Sequence, residues 1–538
     1  MRSSVYHRAQ LLHAQLLRRP HHLARSIILA GLMTLPAALV VRGYPHFAAA
    51  SPGSNSQRAT SATSATAASC AQADVQAAID QAQDGDTVAV PAGSCAWGGA
   101  IRLFNDRGVT LICATQSSCV IDLITTGSGI YFGGIAGNND RLYRISGFRF
   151  QNAPAQSGVI RFDGDVASTL SRFRIDHNVF ENFGYNVTAI RLGQIAAAGK
   201  YYGVIDHNVF SGANNMMGLI YLGPGDPDLW AASVRGSAQN VFVEDNLFDF
   251  SAATNLGLGC VDAWKAAALV FRHNDVKNCL VAAHGVTHDT TVNFEFYSNV
   301  LRRTASSGDW EDGTRLFHHQ GSGEMFLWGN TFHAIGPLSS GAIGITHYRS
   351  ATPADAGYGA NLGRCNGTNA RDGNRSGQLG YPCWMQPGRA PAGGSPGYGV
   401  LSPIYGWMNV DGATGAKVDI TIENPWAATS PGVDDHIKPE RDFYDAVSGA
   451  AQTTRTSPFS GSSGVGFGTL ANRPTTCTTN SAELGGGVGY WATDTNTLYR
   501  CAAANTWATH YQPYVYPHPL VQSPSLAARV YVPLARRP

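Results

Sequence analysis

The sequence is poor in charged residues, which make up 14% of its 538 residues, and its formal net charge is only +1. A balance this close to neutral gives no electrostatic argument for nucleic acid as a partner. Neither a P-loop nor a dinucleotide-binding glycine motif is found, so no nucleotide cofactor is predicted. Cys-x-x-Cys spacing is missing as well, which argues against a metal site built on cysteines.

Long hydrophobic runs are also scarce. The apolar run over residues 27–41 is too short to predict a membrane span. It follows a basic stretch and precedes a small-residue cleavage pattern at Ala48-Ala49-Ala50, so we predict a secretory signal peptide over residues 1–50. Residues 51–69, rich in Ser, Ala and Thr, are expected to be a flexible linker. The mature chain is then expected to be secreted (extracellular, periplasmic or at the cell surface) and to have no membrane span.

Ten cysteines in an exported chain favour a disulfide framework. They fall in near-neighbour pairs, although spacing alone does not fix which cysteines are joined. The predicted pairs are Cys70–Cys95, Cys113–Cys119, Cys260–Cys279, Cys365–Cys383 and Cys477–Cys501.

The most informative feature is a pentapeptide that returns along the chain. It stands at Asp176–Phe180 and again at Asp206–Phe210, with looser copies that follow. A repeat of this length is typical of solenoids, whose single repeats cannot bury their apolar face alone. Each copy follows a short β-rich run, which predicts one turn of a parallel β-coil. Stacking would place the shared asparagines in one hydrogen-bonded column, namely Asn178, Asn208, Asn246, Asn274, Asn299 and Asn330.

The N-terminal part of the repeat region carries a family resemblance. A short amphipathic helix beginning at Val75, followed by residues 84–93, resembles the N-terminal segment of the pectate-lyase-like superfamily. The resemblance implies an all-β, right-handed parallel β-helix over residues 70–350, capped by a helix at residues 75–82. We expect an irregular Gly/Pro-rich segment over residues 351–475 and a small β-hairpin module with an extended tail over residues 476–538. Calcium is implied by the resemblance only, and the acidic cluster that would hold it is not matched, so no metal ligand is predicted.

A second strand in each repeat points to a candidate site. Runs such as Ile160-Arg161-Phe162 and Ile190-Arg191-Leu192 stand thirty residues apart, and period two turns their middle residue outward. This outward row supplies cations for carboxylates and groups for proton transfer. The candidate catalytic residues are Arg161, Arg191, Tyr221, Asp262, Lys265, His284, His319 and His347, and the candidate substrate-binding residues are Tyr131, Trp264 and Arg349.

These residue types suit β-elimination on an acidic polysaccharide, which needs a cation for the carboxylate, a base and an acid. We therefore expect a secreted polysaccharide lyase acting on a uronate-containing glycan. Two alternatives stay open: a non-catalytic β-helix that binds extracellular glycans or adheres to cells, and a glycoside hydrolase, for which Asp163 and Asp262 offer carboxylates. The longer excursions at 223–239 and 303–314 are expected either to border a binding surface or to be surface loops without a role in binding.

Overall fold

The computed structural model describes residues 63–125, 127, 129–154, 157–164, 168–183, 187–193, 199–212, 219–223, 233–252, 259–264, 266–283, 291–304, 315–333, 341–347, 365, 367, 372–392, 395–423, 433–445, 458–481 and 483–522. The chain divides into two compact units, Met1–Thr60 and Ser61–Pro538, and every described residue belongs to the second. The expected signal peptide therefore lies outside the described residues. Within the described ranges, no helix is long and apolar enough to cross a membrane.

Short β-strands dominate the described chain. In chain order they are β1 Ser64–Thr66, β2 Thr87–Val90, β3 Gly93–Trp97, β4 Ile101–Arg102, β5 Thr110–Cys113, β6 Cys119–Leu123, β7 Ile130–Ile135, β8 Asn138–Asn139, β9 Tyr143–Ser146, β10 Phe148–Gln151, β11 Ser157–Gly164, β12 Ser168–Asp176, β13 Val179–Glu181, β14 Thr188–Leu192, β15 Gly199–Asp206, β16 Val209–Ser211, β17 Ile220–Leu222, β18 Val241–Glu244, β19 Leu247–Asp249, β20 Gly259–Ala263, β21 Ala267–Arg272, β22 Asp275–Lys277, β23 Leu280–Ala283, β24 Thr291–Tyr297, β25 Val300–Arg302, β26 Phe317–His319, β27 Glu324–Trp328, β28 Thr331–His333, β29 Ile343–Ile345, β30 Arg389–Ala392, β31 Ser395–Leu401, β32 Ile404–Trp407, β33 Val410–Asp411, β34 Ile420–Ile422, β35 Phe443–Tyr444, β36 Val465–Gly468, β37 Gly489–Ala492, β38 Thr497–Ala503 and β39 Thr506–Tyr511. The helices are α1 Gln72–Gln81, α2 Val433–His436 and α3 Pro519–Gln522, with a 3₁₀ turn at Leu470–Asn472.

Strands from successive turns of the chain pair in parallel and build three long sheets. Sheet A follows the order β1-β2-β5-β9-β12-β15-β18-β21-β24-β27-β32-β35, with β8 paired to β12. Sheet B follows β3-β6-β10-β13-β16-β19-β22-β25-β28-β33, and sheet C follows β4-β7-β11-β14-β17-β20-β23-β26-β29-β34. Each turn thus adds one strand to every sheet, which is the predicted parallel β-helix.

The asparagines of the repeat form one buried column at the turn from sheet A to sheet B. The side-chain oxygen of Asn208 accepts from the backbone N–H of Asn178 at 3.0 Å and from its Nδ2 at 3.1 Å. The same pair of bonds links the remaining members in series and continues to Asn409. The residue before each asparagine has a positive φ, as at His177 (56°) and His207 (54°), so the chain turns sharply into sheet B. Buried polar groups are thereby satisfied turn after turn.

Apolar stacks fill the interior beside this column. Phe180 stacks on Phe150 at 5.5 Å and on Phe210 at 5.0 Å between ring centroids, and Phe210 stacks on Phe248 at 4.7 Å. Phe180, Phe210 and Phe248 come from the position two residues after an asparagine of the column, and Phe150 stands at the equivalent position of the preceding turn. The repeat therefore specifies the polar turn and the aromatic core together.

Helix α1 covers the N-terminal end of the coil, close to the predicted residues 75–82. Its Val75 and Ile79 are fully buried, and Gln76 bonds the backbone of Arg102 through both ends of its amide. The segment expected to be linker differs from the prediction at its end, because β1 pairs in parallel with β2 and adds a strand to sheet A. Backbone pairing of Ser64–Thr66 protects the strand edge that β2 would otherwise expose.

The coil continues beyond residue 350, the limit expected from the sequence. Strands β32, β33 and β34 pair with β27, β28 and β29 and complete one further turn, and β35 adds to sheet A. The asparagine of this turn is Asn409. The prediction ended too early because a long non-repetitive excursion separates this turn from the others.

The C-terminal segment packs on the outer face of sheet A. Strands β36–β39 form a four-stranded sheet, whose Tyr490 and Trp491 share a buried cluster with Tyr405 and Trp407 of the coil. The tail then crosses sheet A, where Arg272 donates to the backbone oxygens of Tyr514 at 2.8 Å and Val515 at 2.9 Å. The tail was expected to lie extended against the coil, whereas its residues Pro519–Gln522 form the helical turn α3.

Disulfides join the ten cysteines in the predicted sequential order. Cys260 and Cys279 tie the start of β20 to the residue before β23, one turn further along sheet C. Five disulfides are consistent with an oxidising compartment.

Candidate functional site

Five side chains stand in register on the outward side of sheet C. Parallel pairing places Arg161 between Tyr131 and Arg191, and it places Tyr221 between Arg191 and Asp262. Their neighbours in each strand, such as Ile190 and Leu192, are buried, so the alternation predicted from the sequence is the one observed. We call Tyr131, Arg161, Arg191, Tyr221 and Asp262 the polar column. Its members follow one another at roughly 4.8 Å along the coil axis.

Arg161 is held by a buried carboxylate. Its Nε lies 2.6 Å from Oδ2 of Asp163, which is 1% exposed, and its guanidinium lies 5.6 Å from the ring centroid of Tyr131. Burial raises the pKa of Asp163, while the charges of Arg161 and Arg191 oppose that shift. Asp163 fixes the guanidinium from beneath the column, a role that the sequence did not indicate.

Arg191 has a different environment. Its Nε donates to the backbone oxygen of Gly193 at 3.1 Å, and its guanidinium lies 4.9 Å from the ring centroid of Tyr221. Among the described residues, no carboxylate lies within ion-pairing distance of Arg191, although the charge of Asp163 attracts it from further away. Partial burial lowers the pKa of this guanidinium, since desolvation disfavours its charge. A half-buried cation in this setting would gain from a carboxylate supplied by a ligand.

Tyr221 is oriented by Trp264. The indole Nε1 of Trp264 donates a hydrogen bond to the Tyr221 hydroxyl, and the two rings meet edge to face with centroids 6.0 Å apart. Burial, and then the charge of Asp262 on the next turn, raise the pKa of Tyr221. Its hydroxyl therefore stays protonated at neutral pH. Because its oxygen accepts from the indole, the phenolic proton points to another acceptor.

His319 and His347 were predicted to lie on this outward face, and neither does. The pairing of β26 turns His319 inward, in line with Ala283 and Ile345. It is His318 that lies in the row of the polar column. His319 is fully buried, and burial lowers its pKa to about 3. The prediction for His319 is wrong because Phe317 faces inward, and period two then sends His319 the same way. His347, also predicted outward, is buried just after β29 beside Cys365 and Cys383.

His318 is itself buried and paired. Its Nε2 lies 2.9 Å from Oε2 of Glu423, whose other oxygen pairs with Nε of Arg315. His318 and Arg315 also line a small surface cavity together with Asn278, Cys279, Leu280, Arg303 and Leu316. The sequence analysis missed this basic cavity, although two of its side chains border the excursion that begins at Arg303. The remaining predicted site residues, Lys265, His284 and Arg349, lie outside the described residues.

The excursion at 223–239, which was expected either to border a binding surface or to be a surface decoration, is described in part. The last residues of the 223–239 excursion pack toward sheet A, where Arg235 pairs with Glu324 and the backbone N–H of Gly236 donates to Glu295 at 2.7 Å. This described part of the excursion therefore braces sheet A and does not border the polar column.

Comparison of the sequence with protein-family models and with curated proteins gives no match. Among solved structures, the chain is similar to an alginate lyase from Paenibacillus sp. str. FPU-7, with 13% sequence identity and a TM-score of 0.28. The match covers 51% of this chain and 98% of that one. A likeness at this level carries no inference about the present chain.

Proposed function

We propose that the protein is a secreted polysaccharide lyase that cleaves a uronate-containing glycan by β-elimination. The observation that carries the proposal is the in-register polar column, in which two guanidinium groups and a protonated phenol follow one another along an extended sheet face. An extended polymer lying along the coil axis would pass these groups in succession.

The chemistry assigns each member of the column a part. Arg191, assisted by Arg161, binds the C6 carboxylate and stabilises the charge that develops when the C5 proton leaves. The carboxylate of Asp262 takes the proton from C5. The C4=C5 double bond then forms as the C4–O4 bond breaks, and Tyr221 gives its proton to the departing O4 oxygen. Acid and base stand on adjacent turns of one face, which suits removal of both groups from one side of the sugar ring.

The cavity lined by Arg303 supports a second contact with an anionic chain. Arg303 offers a cationic group there, whereas Arg315 and His318 are paired with Glu423. Four strand-to-strand steps separate Arg191 from His318, which lies beside Arg303 in the cavity lining, along sheet C. At about 4.8 Å per step this is roughly 19 Å, a span of several sugar residues. Carboxylates of one polymer chain could thus contact both Arg191 and the cavity beside Arg303.

The test is ultraviolet absorbance of the unsaturated uronate end, recorded with the full chain over a panel of polyuronides. Tyr221→Phe should lower turnover about 100- to 10,000-fold while leaving binding nearly intact. Arg191→Ala should weaken binding by about 1.5–3 kcal/mol, as expected when a charge-assisted bond is lost. Arg149→Ala on sheet B, where Arg149 pairs with Glu181, is the matched control and should behave like the parent.

The outcomes separate the alternatives. Glycan binding without any unsaturated product would favour a non-catalytic binding protein. New reducing ends without a double bond would favour a hydrolase. Column variants that bind and turn over glycan like Arg149→Ala would show that the site is elsewhere.

A further inference from the structure

Four buried side chains from four separate parts of the chain lie close together near His347, just after the end of strand β29. They are His347, Cys365, Cys383 and His436, and each offers a nitrogen or sulfur atom within 4.8 Å of the others. None of the four is more than 1% exposed. In the described part of the chain, no other group of His, Cys, Asp or Glu side chains brings its ligand atoms together in this way.

We propose that these residues form a tetrahedral Zn²⁺ site of the Cys₂His₂ type, and that the Cys365–Cys383 disulfide is the metal-free form of the same site. Two thiolates and two neutral imidazoles match the preference of zinc for sulfur and nitrogen ligands. They also balance its charge, which matters in an interior where an uncompensated ion is costly.

The distances are close to those of a zinc site. Bonds of about 2.0–2.3 Å place the ligand atoms of a tetrahedral site roughly 3.3–3.8 Å apart. Nδ1 of His347 lies 3.0 Å from Sγ of Cys383 and 3.9 Å from Sγ of Cys365, on either side of that range, so shifts of a few tenths of an ångström would bring these atoms into it. The rings of His347 and His436 are perpendicular, with centroids 5.9 Å apart, so they approach the sulfurs from different directions. A disulfide by itself requires neither imidazole.

Neighbouring groups hold the ligands in place, as is common around zinc sites. The side-chain oxygen of Gln386 accepts from the backbone N–H of Cys383 at 2.8 Å, and its Nε2 donates to the backbone oxygen of His436 at 3.4 Å. Arg441 donates to the same oxygen of His436 at 2.5 Å. Gln386 thus links the backbones of two ligand-bearing segments.

Four protein ligands leave no open position, so the zinc is structural rather than catalytic. It fastens the segment that contains Cys365, Cys383 and His436 to the coil at His347. The proposal is independent of the lyase activity. When an oxidant of the thiol–disulfide oxidase class removes two electrons from the thiolates, the Sγ–Sγ bond forms and zinc leaves. The oxidant's own disulfide takes up two protons and becomes a dithiol.

The test measures zinc and free thiols on the same preparation of the full chain, exported by a host grown with added Zn²⁺. Zinc is counted by elemental mass spectrometry, and thiols by N-ethylmaleimide labelling after denaturation in chelator, followed by peptide mapping. We expect one zinc per chain and labels on Cys365 and Cys383, with the other eight cysteines in four disulfides. In a partly oxidised preparation the zinc content should equal the labelled fraction.

Variants identify the ligands. His436→Ala and His347→Ala should lose zinc, whereas His436→Cys should keep it, because Cys₃His is also an accepted zinc ligand set. His333→Ala, a half-buried histidine on sheet B outside the cluster, should keep it as well. Co²⁺ added in place of zinc should give thiolate charge-transfer absorption in the parent and not in His436→Ala. Protein with five disulfides and no zinc would overturn the proposal, and so would zinc that persists in both histidine-to-alanine variants.

Discussion

Replacing Asn208 by alanine tests whether the asparagine column holds adjacent turns of the coil together. The side-chain oxygen of Asn208 accepts two hydrogen bonds from Asn178, and its Nδ2 donates to the backbone oxygens of Ile175 at 2.8 Å and Asp206 at 3.0 Å. Alanine leaves the buried backbone N–H of Asn178 without its acceptor, which alone costs about 1–3 kcal/mol. With the carbonyl partners and the small cavity added, we expect a loss of about 2–4 kcal/mol.

The measurement is urea unfolding followed by far-ultraviolet circular dichroism with the disulfides intact, combined with amide hydrogen exchange. Asn178 should lose protection more than amides several turns away, because the damage is confined to neighbouring turns. Asn138→Ala is the matched control, since Asn138 is exposed and should change stability by less than about 0.5 kcal/mol. If Asn208→Ala is as stable as Asn138→Ala, the column does not stabilise the coil.

Two further perturbations probe buried charge. Arg272→Ala removes the partner of buried Glu244 and the donor to the carbonyls of Tyr514 and Val515, so stability should fall by about 3–5 kcal/mol. Limited proteolysis should then cut the C-terminal tail faster, and an unchanged cleavage rate would contradict its anchoring by Arg272. Acid should also destabilise the protein. His319 has a pKa of about 3 in the folded state and near 6.5 in the unfolded state, so the unfolded state takes up the proton first as the pH falls. The contribution of His319 to stability is therefore complete above pH 6.5 and is lost toward pH 3. Urea unfolding at several pH values should show a smaller loss in His319→Gln, and an equally steep loss would refute the assignment to this imidazole.

The fold was predictable because its determinants are local and repeated. Each copy of the repeat carries its own asparagine, the turn residue before it and an apolar residue two positions later, which is aromatic in several copies, as in Asn208 and Phe210. The last turn of the coil was missed for the opposite reason. Its strands are short, and a long excursion that has no period separates Asn409 from Asn330.

The outward direction of a site residue was predictable only where apolar and polar residues alternate strictly along the strand. Arg161 and Arg191 lie between buried aliphatic or aromatic neighbours, so their outward direction follows from period two. His318 and His319 follow Leu316 and Phe317, both buried, and such a run does not say which histidine faces outward. Asp163 was visible as a carboxylate, but its pairing with Arg161 depends on tertiary burial that no local pattern encodes.

The outer faces of sheets A, B and C differ in what covers them and in how their charges are paired, and this difference bears on where a ligand would bind. The C-terminal segment covers sheet A and engages Arg272 there. On sheet B, outward charges neutralise one another between adjacent turns, as Lys277 does with Asp249 at 2.8 Å. On sheet C, Arg161 is paired with Asp163, whereas Arg191 forms no ion pair among the described residues, is attracted by Asp163 only from further away, and lies against the ring of Tyr221. A solenoid gains no stability from leaving a half-buried cation in this state, since partial desolvation of the charge is unfavourable unless it is compensated. A carboxylate of a glycan would add to the weak compensation from Asp163, and this is the reason why the proposed function places the ligand on sheet C.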